Sequence, residues 1–558
     1  MVFQALVDEL LADYFRLNPV HATDIGHHAY DGRWPDLTDA GRAAAVAYYR
    51  DGLARLEALD PATLSHDEAI DCRVLTGALD AALFHEETLQ EDRWNPLVYI
   101  YLLGNGLFLL LARPFAPLPD RLASAASRLR GVRAVVEAAQ ATLSAPGDRP
   151  VAQFHTEKAI ERLAGVVSLV DATVGEAAEL DAVLRAEVEA AAADAKAALE
   201  VFATWLRDTL LPAATGDFRL GPDLYRQKFR HALRVELQPE DLERRATTAF
   251  TEVRAEMHRL GRVLWPAWMG EAAMPDDPDR IVRAVLDAIG ADHPAAPELL
   301  DFCRAENDRI EAFCREREII GLADEPLEII WTPEFLRSFG GAMLIPPGPL
   351  DRGLSSFFAI TPMPDDWTDA QRESYLREDN ARMLRLLTIH EAVPGHYLQL
   401  AYSNRCPSLV RAIFSSGVFA EGWAVYVTQV MMDAGYGADD PALMLVHWKF
   451  YLRAVTNTLM DIAIHTGAME REEAMRLMVE QGFQEESEAA NKWDRARLSS
   501  TQLCEYLLGY VEMTDLEQEA CRRAAADGRA FVWRPFLESV LAHGTPPTPI
   551  IRDILFGA

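Results

Sequence analysis

The sequence predicts a mainly α-helical protein of 558 residues with one small β-sheet near the middle of the chain. Three observations favour this fold class. Apolar residues recur at helical spacing through most of the chain, β-branched and aromatic segments interrupt that pattern between residues 326 and 362, and helical patterns then resume almost to the end. Since 50% of the residues are hydrophobic, the chain has enough apolar side chains for a large core.

Helical patterns dominate the first 210 residues and return in the middle of the chain. The stretch that begins at Pro239 has the acidic first turn that is typical of a helix start. We expect an N-terminal helical lobe of residues 1–215 and a catalytic helical lobe of residues 216–558, joined into one integrated unit. The helices are predicted at 121–145, 176–208, 239–262, 280–290 and 296–318.

Two strands are predicted in the small sheet, at residues 327–331 and 355–360, with a Pro- and Gly-rich loop at 346–353 between them. The sheet directly precedes the helix that carries the candidate site. An exposed sheet edge can bind an extended peptide as an added strand. We therefore expect the sheet at about 326–362 to lie beside the active-site helix and to form one wall of its cleft.

Charge and cysteine usage exclude several classes of function. A formal net charge of −32 argues against nucleic-acid partners and anionic membrane surfaces, both of which favour basic patches. The six cysteines are scattered without a CxxC pair, which is typical of reduced thiols in the cytoplasm. The N-terminus has acidic residues where a secretory signal has basic ones, and no stretch of 18 uncharged apolar residues follows. We expect a cytoplasmic protein without a membrane partner.

The segment His390-Glu391-Ala392-Val393-Pro394-Gly395-His396, followed by Glu421, is the strongest chemical signal. Two imidazoles and a carboxylate form a common zinc ligand set, and Glu391 would be the acid/base that activates water. Six residues on a straight helix separate two side chains by about 240°, so the histidines meet only if the helix is interrupted. Pro394 and Gly395 favour such an interruption. The alternative is a buried polar cluster at a proline kink.

Four further side chains are candidates, each with a structural alternative. Asp461 and His465 are spaced i, i+4, so the carboxylate can orient the imidazole, although a histidine before Gly467 is also typical of a helix C-terminus. Tyr506 could donate to a developing oxyanion or pack in the core. Arg495 offers the fork geometry that binds a substrate carboxylate, or it forms a surface ion pair.

These residues resemble a bacterial family known as domain of unknown function 885, and the similarity extends over nearly the whole chain. It rests on Pro19-Val20-His21-Ala22-Thr23-Asp24-Ile25-Gly26, on the segment from His390 to His396 with Gln399, on Glu421-Gly422-Trp423-Ala424 with Tyr426, and on Asp461, His465 and Gly467. The resemblance implies a distant zinc metallopeptidase of gluzincin type with a large, helical, clam-like fold. It also implies that His390, His396 and Glu421 are the metal ligands and that Glu391, His465 and Tyr506 are catalytic. Asp461 would orient the His465 imidazole.

Two blocks depart from the family pattern. Where the family has Pro-Gly-Gln-Ala followed by a tyrosine and a glycine, this chain has Ser500-Thr501-Gln502-Leu503, and only Gln502, Tyr506 and Gly509 match. The Ser-, Asp- and Gly-rich substrate loop is also altered, at residues 346–353. We expect Arg352, Arg495 and Gln502 to bind substrate. We also expect the family's fold and metal site to apply to this chain, whereas its substrate can differ from that of the family.

The sequence thus predicts a metal-dependent hydrolase that cleaves amide or peptide bonds of short peptides or small amides through a zinc-activated water. Iron or manganese are alternatives to zinc, since two histidines and a carboxylate also suit non-haem iron. The two altered blocks leave a second hypothesis open, a metalloenzyme that acts on a small metabolite in specialised metabolism. A third is a catalytically inactive binding protein on the same scaffold.

Overall fold

The computed structural model describes residues 2–145, 147–332, 342–364, 366–467 and 469–557, and it is mainly helical, as predicted. Its internal contacts divide the chain into two compact units. The first unit runs to Phe218 and also takes in Pro347–Leu354; the second takes in Arg219–Thr332, residues 342–346 and the chain from Ser355 onward. No local pattern in the sequence predicted that the segment 347–354 belongs with the N-terminal part of the chain.

The first unit is built from helices, with α6 packed on α8 and α5 on α7. The stretch predicted at 176–208 spans a break, because α7 ends at Ala177 and Asp181 caps α8 by accepting from the backbone N–H groups of Val183 and Leu184. Among the described residues no single helix is long and apolar enough to cross a membrane, and one pair bent by 104°, His66–Arg93 with Leu97–Leu111, meets that test together. The helices are α1 Val2–Leu17, α2 Pro19–Asp24, α3 Asp39–Glu57, α4 His66–Phe84, α5 Leu97–Leu111, α6 Leu118–Ser144, α7 Gln153–Ala177, α8 Ala182–Trp205 and α9 Leu211–Ala213.

A histidine holds the segment 347–354 within the first unit. The Nδ1 atom of His28 lies 2.9 Å from Asp31 Oδ2 and its Nε2 atom lies 3.0 Å from Asp351 Oδ1. Burial alone would lower the pKa of His28, but hydrogen bonds and charge from both carboxylates outweigh it and raise the pKa to about 9. Three further titratable side chains face this cluster: His27 beside His28, Arg128 near Asp31 and Arg113 near Asp351. A doubly paired imidazolium thus fixes the segment beside the N-terminal helices.

The second unit contains the remaining helices, among which α18 packs on α22 and α11 on α19. Helix α11 continues past the predicted end at 262 to Met269, and it includes Pro266 within its last turn. The helices are α10 Pro222–Leu233, α11 Pro239–Met269, α12 Pro278–Gly290, α13 Leu299–Glu316, α14 Asp369–Glu378, α15 Ala381–Glu391, α16 His396–Ser403, α17 Leu409–Ile413, α18 Gly417–Asp433, α19 Pro441–Thr466, α20 Arg471–Met475, α21 Glu486–Leu498, α22 Glu505–Ala526, α23 Trp533–Leu541 and α24 Thr548–Phe556.

The sheet of the second unit has three strands in the order β1-β3-β2: β1 Leu327–Trp331, β2 Ala342–Ile345 and β3 Ser356–Ile360. Strand β3 is parallel to β1 and antiparallel to β2. Strands β1 and β3 are the two that the sequence predicted, whereas β2 was not predicted, and residues 333–341 of the predicted sheet region lie outside the described residues. Ile329, Phe358 and Ile360 form one apolar cluster with Leu384 of α15 and Ala392, which positions the sheet beside the helix of the candidate site.

Candidate metal centre

The helix that carries the HE pair ends inside the motif. Asn380 caps α15 by accepting from the backbone N–H groups of Arg382 and Met383, and the helix ends at Glu391. Ala392 leaves the helical region with φ −103° and ψ −106°, the Val393–Pro394 peptide is cis, and α16 begins at His396. The interruption predicted between the two histidines is therefore present, and it separates two helices rather than kinking one.

Gly395 allows the chain to turn tightly over the end of α15. A Cβ atom at this position would lie 1.9 Å from the carbonyl oxygen of His390 and 2.3 Å from that of Ile389. These atoms belong to the backbone and cannot rotate away, so a side chain is excluded sterically although φ is an ordinary −73°. The glycine is thus required for the close approach that brings His396 back toward His390.

The two imidazoles and Glu421 converge as predicted. The Nε2 atom of His390 lies 3.9 Å from Glu421 Oε2, and the Nε2 atom of His396 lies 3.5 Å from the same oxygen. The imidazole rings are 4.8 Å apart and nearly perpendicular, at 83°. One potential ligand atom from each of the three residues lies within 4.8 Å of the others.

This donor set fits a divalent metal ion. Nitrogen and oxygen ligands of a tetrahedral zinc ion lie at about 2.0–2.2 Å from it, which places them roughly 3.3–3.6 Å from one another. The two measured N–O separations of 3.5 and 3.9 Å are close to that range. The side chain of His390 is 7% exposed, whereas those of His396 and Glu421 are 14% and 22% exposed, so solvent reaches the group from the His396 and Glu421 side.

Glu421 is positioned by a helix crossing and by one hydrogen bond. A Cβ atom on Gly422 would lie 2.3 Å from Gly509 Cα, and one on Gly509 would lie 2.0 Å from the Val418 carbonyl, so α18 and α22 touch backbone to backbone. The indole N–H of Trp423 donates to the Pro394 carbonyl at 2.8 Å. The residues after Glu421 therefore attach its helix both to α22 and to the loop between the histidines.

Burial and neighbouring charges shift the pKa of each group at the centre. Burial, helped by the charge of His396, lowers the pKa of His390 to about 3, which favours a neutral imidazole that can bind a metal. Burial would lower the pKa of His396 too, but its hydrogen bond to Glu421 raises it. Burial raises the pKa of the Glu421 carboxyl, yet His396, His390 and Arg495 together hold it below its usual value. The carboxylate thus stays ionised in a mostly apolar setting.

Glu391 lies beside the three ligands and next to the sheet. Burial and the charge of Glu421 raise the pKa of the Glu391 carboxyl to about 7, while a hydrogen bond from the backbone of Leu344 acts in the opposite direction. A carboxyl with a pKa near neutrality can both accept and release a proton. Leu344 belongs to β2, so the strand adjacent to the candidate acid/base is the one that was not predicted from the sequence.

Three of the other predicted residues meet near Glu421. The Nη2 atom of Arg495 donates to Gln502 Oε1 at 3.0 Å and to the Tyr506 hydroxyl at 3.2 Å. Burial, followed by the charge of Glu421, raises the pKa of Tyr506 to about 12, so its hydroxyl stays protonated and can donate. The structure thus brings Tyr506, Arg495 and Gln502 together on the Glu421 side of the centre.

Asp461 and His465 have contacts of another kind. The Nε2 atom of His465 lies 2.9 Å from the carbonyl oxygens of both Ala496 and Ser499, and its ring stacks on Tyr225. Asp461 accepts from the Tyr225 hydroxyl at 2.6 Å and from the backbone N–H of Thr501, in the loop before α22, at 2.9 Å. These contacts connect α19 to the end of α21, which is a positioning role, and the catalytic role of His465 stays a prediction.

The altered block 500–501 keeps an unusual backbone conformation. Thr501 has φ +70°, in the left-handed region that a β-branched residue rarely adopts. Its backbone N–H donates to Asp461 Oδ1 at 2.9 Å, and its side chain is 2% exposed. A glycine, which the family pattern has here, adopts this φ without strain. Thr501 therefore adopts the turn before Gln502 and Tyr506 with backbone strain that a glycine would avoid.

The remaining predicted residue, Arg352, lies in the segment Pro347–Leu354 of the first unit and is exposed. Its substrate-binding role stays a prediction.

The sequence patterns did not reveal a set of buried and half-buried charges around α19 and α21. Arg453 Nη2 lies 3.2 Å from Glu488 Oε1, and Lys492 Nζ lies 3.6 Å from the same oxygen. Burial, followed by the charge of Arg453, lowers the pKa of Lys492 to about 7. Glu505 was also missed: burial and the charge of Glu421 raise its pKa to about 8. A spacing of four residues between Glu488 and Lys492 on one helix was a signal for their pairing, but nothing local indicated Arg453 or Glu505.

Comparison with known proteins places the chain among proteins of unknown function. The family model for bacterial proteins of unknown function, DUF885, matches residues 19–555. The structure of a putative lipoprotein of unknown function from Shewanella oneidensis is similar over 99% of both chains, with 30% identity and a TM-score of 0.85. That of a putative lipoprotein from Colwellia psychrerythraea covers 98% of this chain and 97% of that chain, with 17% identity and a TM-score of 0.78, and shows the fold alone. No curated protein matches the sequence. The cytoplasmic localisation stays a prediction.

Proposed function

This chain belongs to the DUF885 family of bacterial proteins, and we propose that it is a metal-dependent hydrolase of amide or peptide bonds, with a zinc site formed by His390, His396 and Glu421. The observation that carries the proposal is the convergence of these three side chains beside the buried carboxyl of Glu391. Three ligands and an adjacent acid/base are the arrangement that hydrolytic zinc sites use.

The chemistry follows from the side chains around the centre. When bound, the metal ion supplies Lewis acidity, which acidifies water and polarises a carbonyl. Glu391 takes the proton of the attacking water and passes it to the leaving amine as the C–N bond breaks, so that an acid and an amine are released. Tyr506, protonated and close to Glu421, donates to the oxyanion that develops on the carbonyl.

The sheet suggests how a substrate is oriented. Strand β2 lies at one edge of the described sheet and its backbone at Leu344 contacts Glu391. An extended peptide that adds to this edge would run past the acid/base with its scissile amide in reach. We propose short peptides or small amides as substrates and, on the same grounds, a metallopeptidase-type fold for the second unit.

A second candidate function follows from the donor set itself. Two histidines and one carboxylate also form the ligand set of non-haem iron oxygenases. Glu391 favours hydrolysis, because an acid/base adjacent to the ligands has a defined task in water activation. Metal identification decides between the two.

The test starts from the purified full chain, stripped of metal and then offered zinc, iron or manganese. We expect one zinc ion per chain by elemental analysis, lost in His390→Ala, His396→Ala and Glu421→Ala and retained in the control His258→Ala, whose imidazole pairs with Asp279. Full occupancy in all three ligand variants would refute the assignment.

The role of the acid/base is tested separately. Glu391→Gln should keep the fold and the metal but lose turnover by about two to four orders of magnitude, because an amide cannot accept the proton. Peptide cleavage at the wild-type rate by this variant would remove Glu391 from the mechanism.

A further inference from the structure

Arg495 differs from the other cations near the centre in its partners. Within the described residues both of its hydrogen bonds go to neutral groups, Gln502 Oε1 and the Tyr506 hydroxyl, and both use Nη2. The carboxylates of Glu421, Glu488 and Glu505 act on it through longer-range charge. A guanidinium has five N–H donors, so Nε and Nη1 keep theirs for a ligand.

The other cations near Arg495 are held in ion pairs within the protein. Arg453 and Lys492 share one carboxylate, Glu488, at 3.2 and 3.6 Å. Glu378, which lies 2.7 Å from Lys449, is 3.9 Å from Arg453. These cations are therefore paired with carboxylates, whereas Arg495 has no carboxylate as a hydrogen-bond partner among the described residues.

Exposure distinguishes Arg495 from these neighbours. Lys492 is only 6% exposed, and Arg453 is half-buried, so neither is presented to a ligand. Arg495 is exposed, and the ligands His396 and Glu421 are the ones that solvent reaches. Of these cations, Arg495 is the one that a substrate at the centre can contact.

We propose that Arg495 binds the terminal carboxylate of a peptide substrate, so that the protein removes single C-terminal residues. This inference rests on the proposed hydrolase function. Because Arg495 contacts Tyr506, a carboxylate on the arginine lies close to a carbonyl whose oxygen faces the tyrosine. One extended residue, which spans about 3.5 Å, would then separate the scissile amide from the chain end. Nε and Nη1 point to different sides of the guanidinium, so the carboxylate would accept one charge-assisted hydrogen bond from one of them.

The substrate class is tested with two peptide pools of identical sequences, one with free C-terminal carboxylates and one with C-terminal amides, incubated with zinc-loaded protein and followed by mass spectrometry. We expect loss of single C-terminal residues from the free-acid pool, absent with Glu391→Gln, and at least tenfold slower cleavage of the amidated pool. Equal, Glu391-dependent cleavage of both pools would overturn the carboxylate site and leave the hydrolase function intact. Cleavage of neither pool would overturn both proposals.

The residue is tested with variants on one free-acid peptide and its amide. A hydrogen bond to a charged group contributes about 1.5–3 kcal/mol, so Arg495→Ala should lower kcat/KM on the free acid about 10- to 100-fold, mainly through KM, with little effect on the amide. Arg495→Lys should fall between, because it keeps the charge and loses the fixed direction of the guanidinium donors. Arg497→Ala, on the same helix and paired with Asp494, is the control. An equal loss on acid and amide would mean that Arg495 only positions Tyr506, and would refute the inference.

Discussion

Replacing Gly395 by alanine should damage the metal centre without touching a ligand. The added Cβ would lie 1.9 Å from the His390 carbonyl oxygen, and real Cβ atoms keep at least 3.0 Å from such neighbours, so that pair must separate by about 1 Å. The oxygen belongs to the residue that carries one ligand, and Gly395 directly precedes the other. Any relief of the clash therefore moves the two imidazoles relative to each other.

The magnitude follows from two independent effects. Overpacking against the backbone costs about 1–3 kcal/mol of unfolding free energy, with or without metal. Disturbing the groups that orient metal ligands typically lowers metal affinity about 10- to 100-fold. We therefore expect Gly395→Ala to be less stable as the metal-free protein and to bind zinc at least tenfold more weakly.

The assay is a zinc titration against a competing chelator, combined with chemical unfolding of the metal-free protein. Gly165→Ala is the control, because its Cβ would meet nothing within 4 Å and the residue lies in the interior of α7, where alanine is favoured by about 1 kcal/mol. Wild-type zinc affinity and stability in Gly395→Ala would show that the tight turn does not determine the position of the histidines.

Two further substitutions test features outside the ligand set. Thr501→Gly should lower the unfolding free energy by about 2 kcal/mol less than Thr458→Gly does. Both threonines are buried, but glycine relieves backbone strain only at Thr501, where φ is +70°, because Thr458 lies within α19. Equal unfolding free energies for the two variants would refute the strain. His28→Gln should destabilise the protein by up to about 3 kcal/mol at pH 6. The pKa of His28 is 6.5 in the unfolded chain and about 9 in the fold, so the stability that its protonation contributes is fully present below pH 6.5. That difference should shrink as pH rises through 9, as the imidazolium between Asp31 and Asp351 loses its proton, and a difference that stays constant from pH 6 to 10 would contradict the paired imidazolium.

Features that depend on neighbouring residues, such as the strands β1 and β3 and the interruption between the histidines, were predicted from local sequence patterns. The strands at 327–331 and 355–360 follow from β-branched and aromatic residues, and β1 and β3 match them within one residue. The interruption at Pro394 and Gly395 follows from helix geometry, since histidines six residues apart cannot share a metal on an unbroken helix. Helix ends were less accurate, because Pro266 in the last turn of α11 did not end the helix where the pattern faded.

Contacts between distant parts of the chain could not be predicted in this way. His28 and Asp351 are 323 positions apart, and no local pattern relates them. Strand β2 has only four residues and is stabilised by pairing with β3, so its own sequence carries a weak signal. The cations around Arg495 come from α19 and α21, whose packing determines which of them is exposed.

Residues between and after the candidate ligands have structural roles that position the ligands. The carbonyl of Pro394 accepts a hydrogen bond from the Trp423 indole, and Gly395 permits the tight turn over the end of α15. Gly422 allows the backbone of α18 to contact that of α22 at Gly509. None of these residues is a predicted ligand, yet each positions a helix or loop that carries one. A search for histidines and glutamates alone would therefore find the donor atoms and miss the backbone contacts that make them converge. Substitution of Trp423, Gly422 or Gly509 should for this reason weaken metal binding although every ligand is intact.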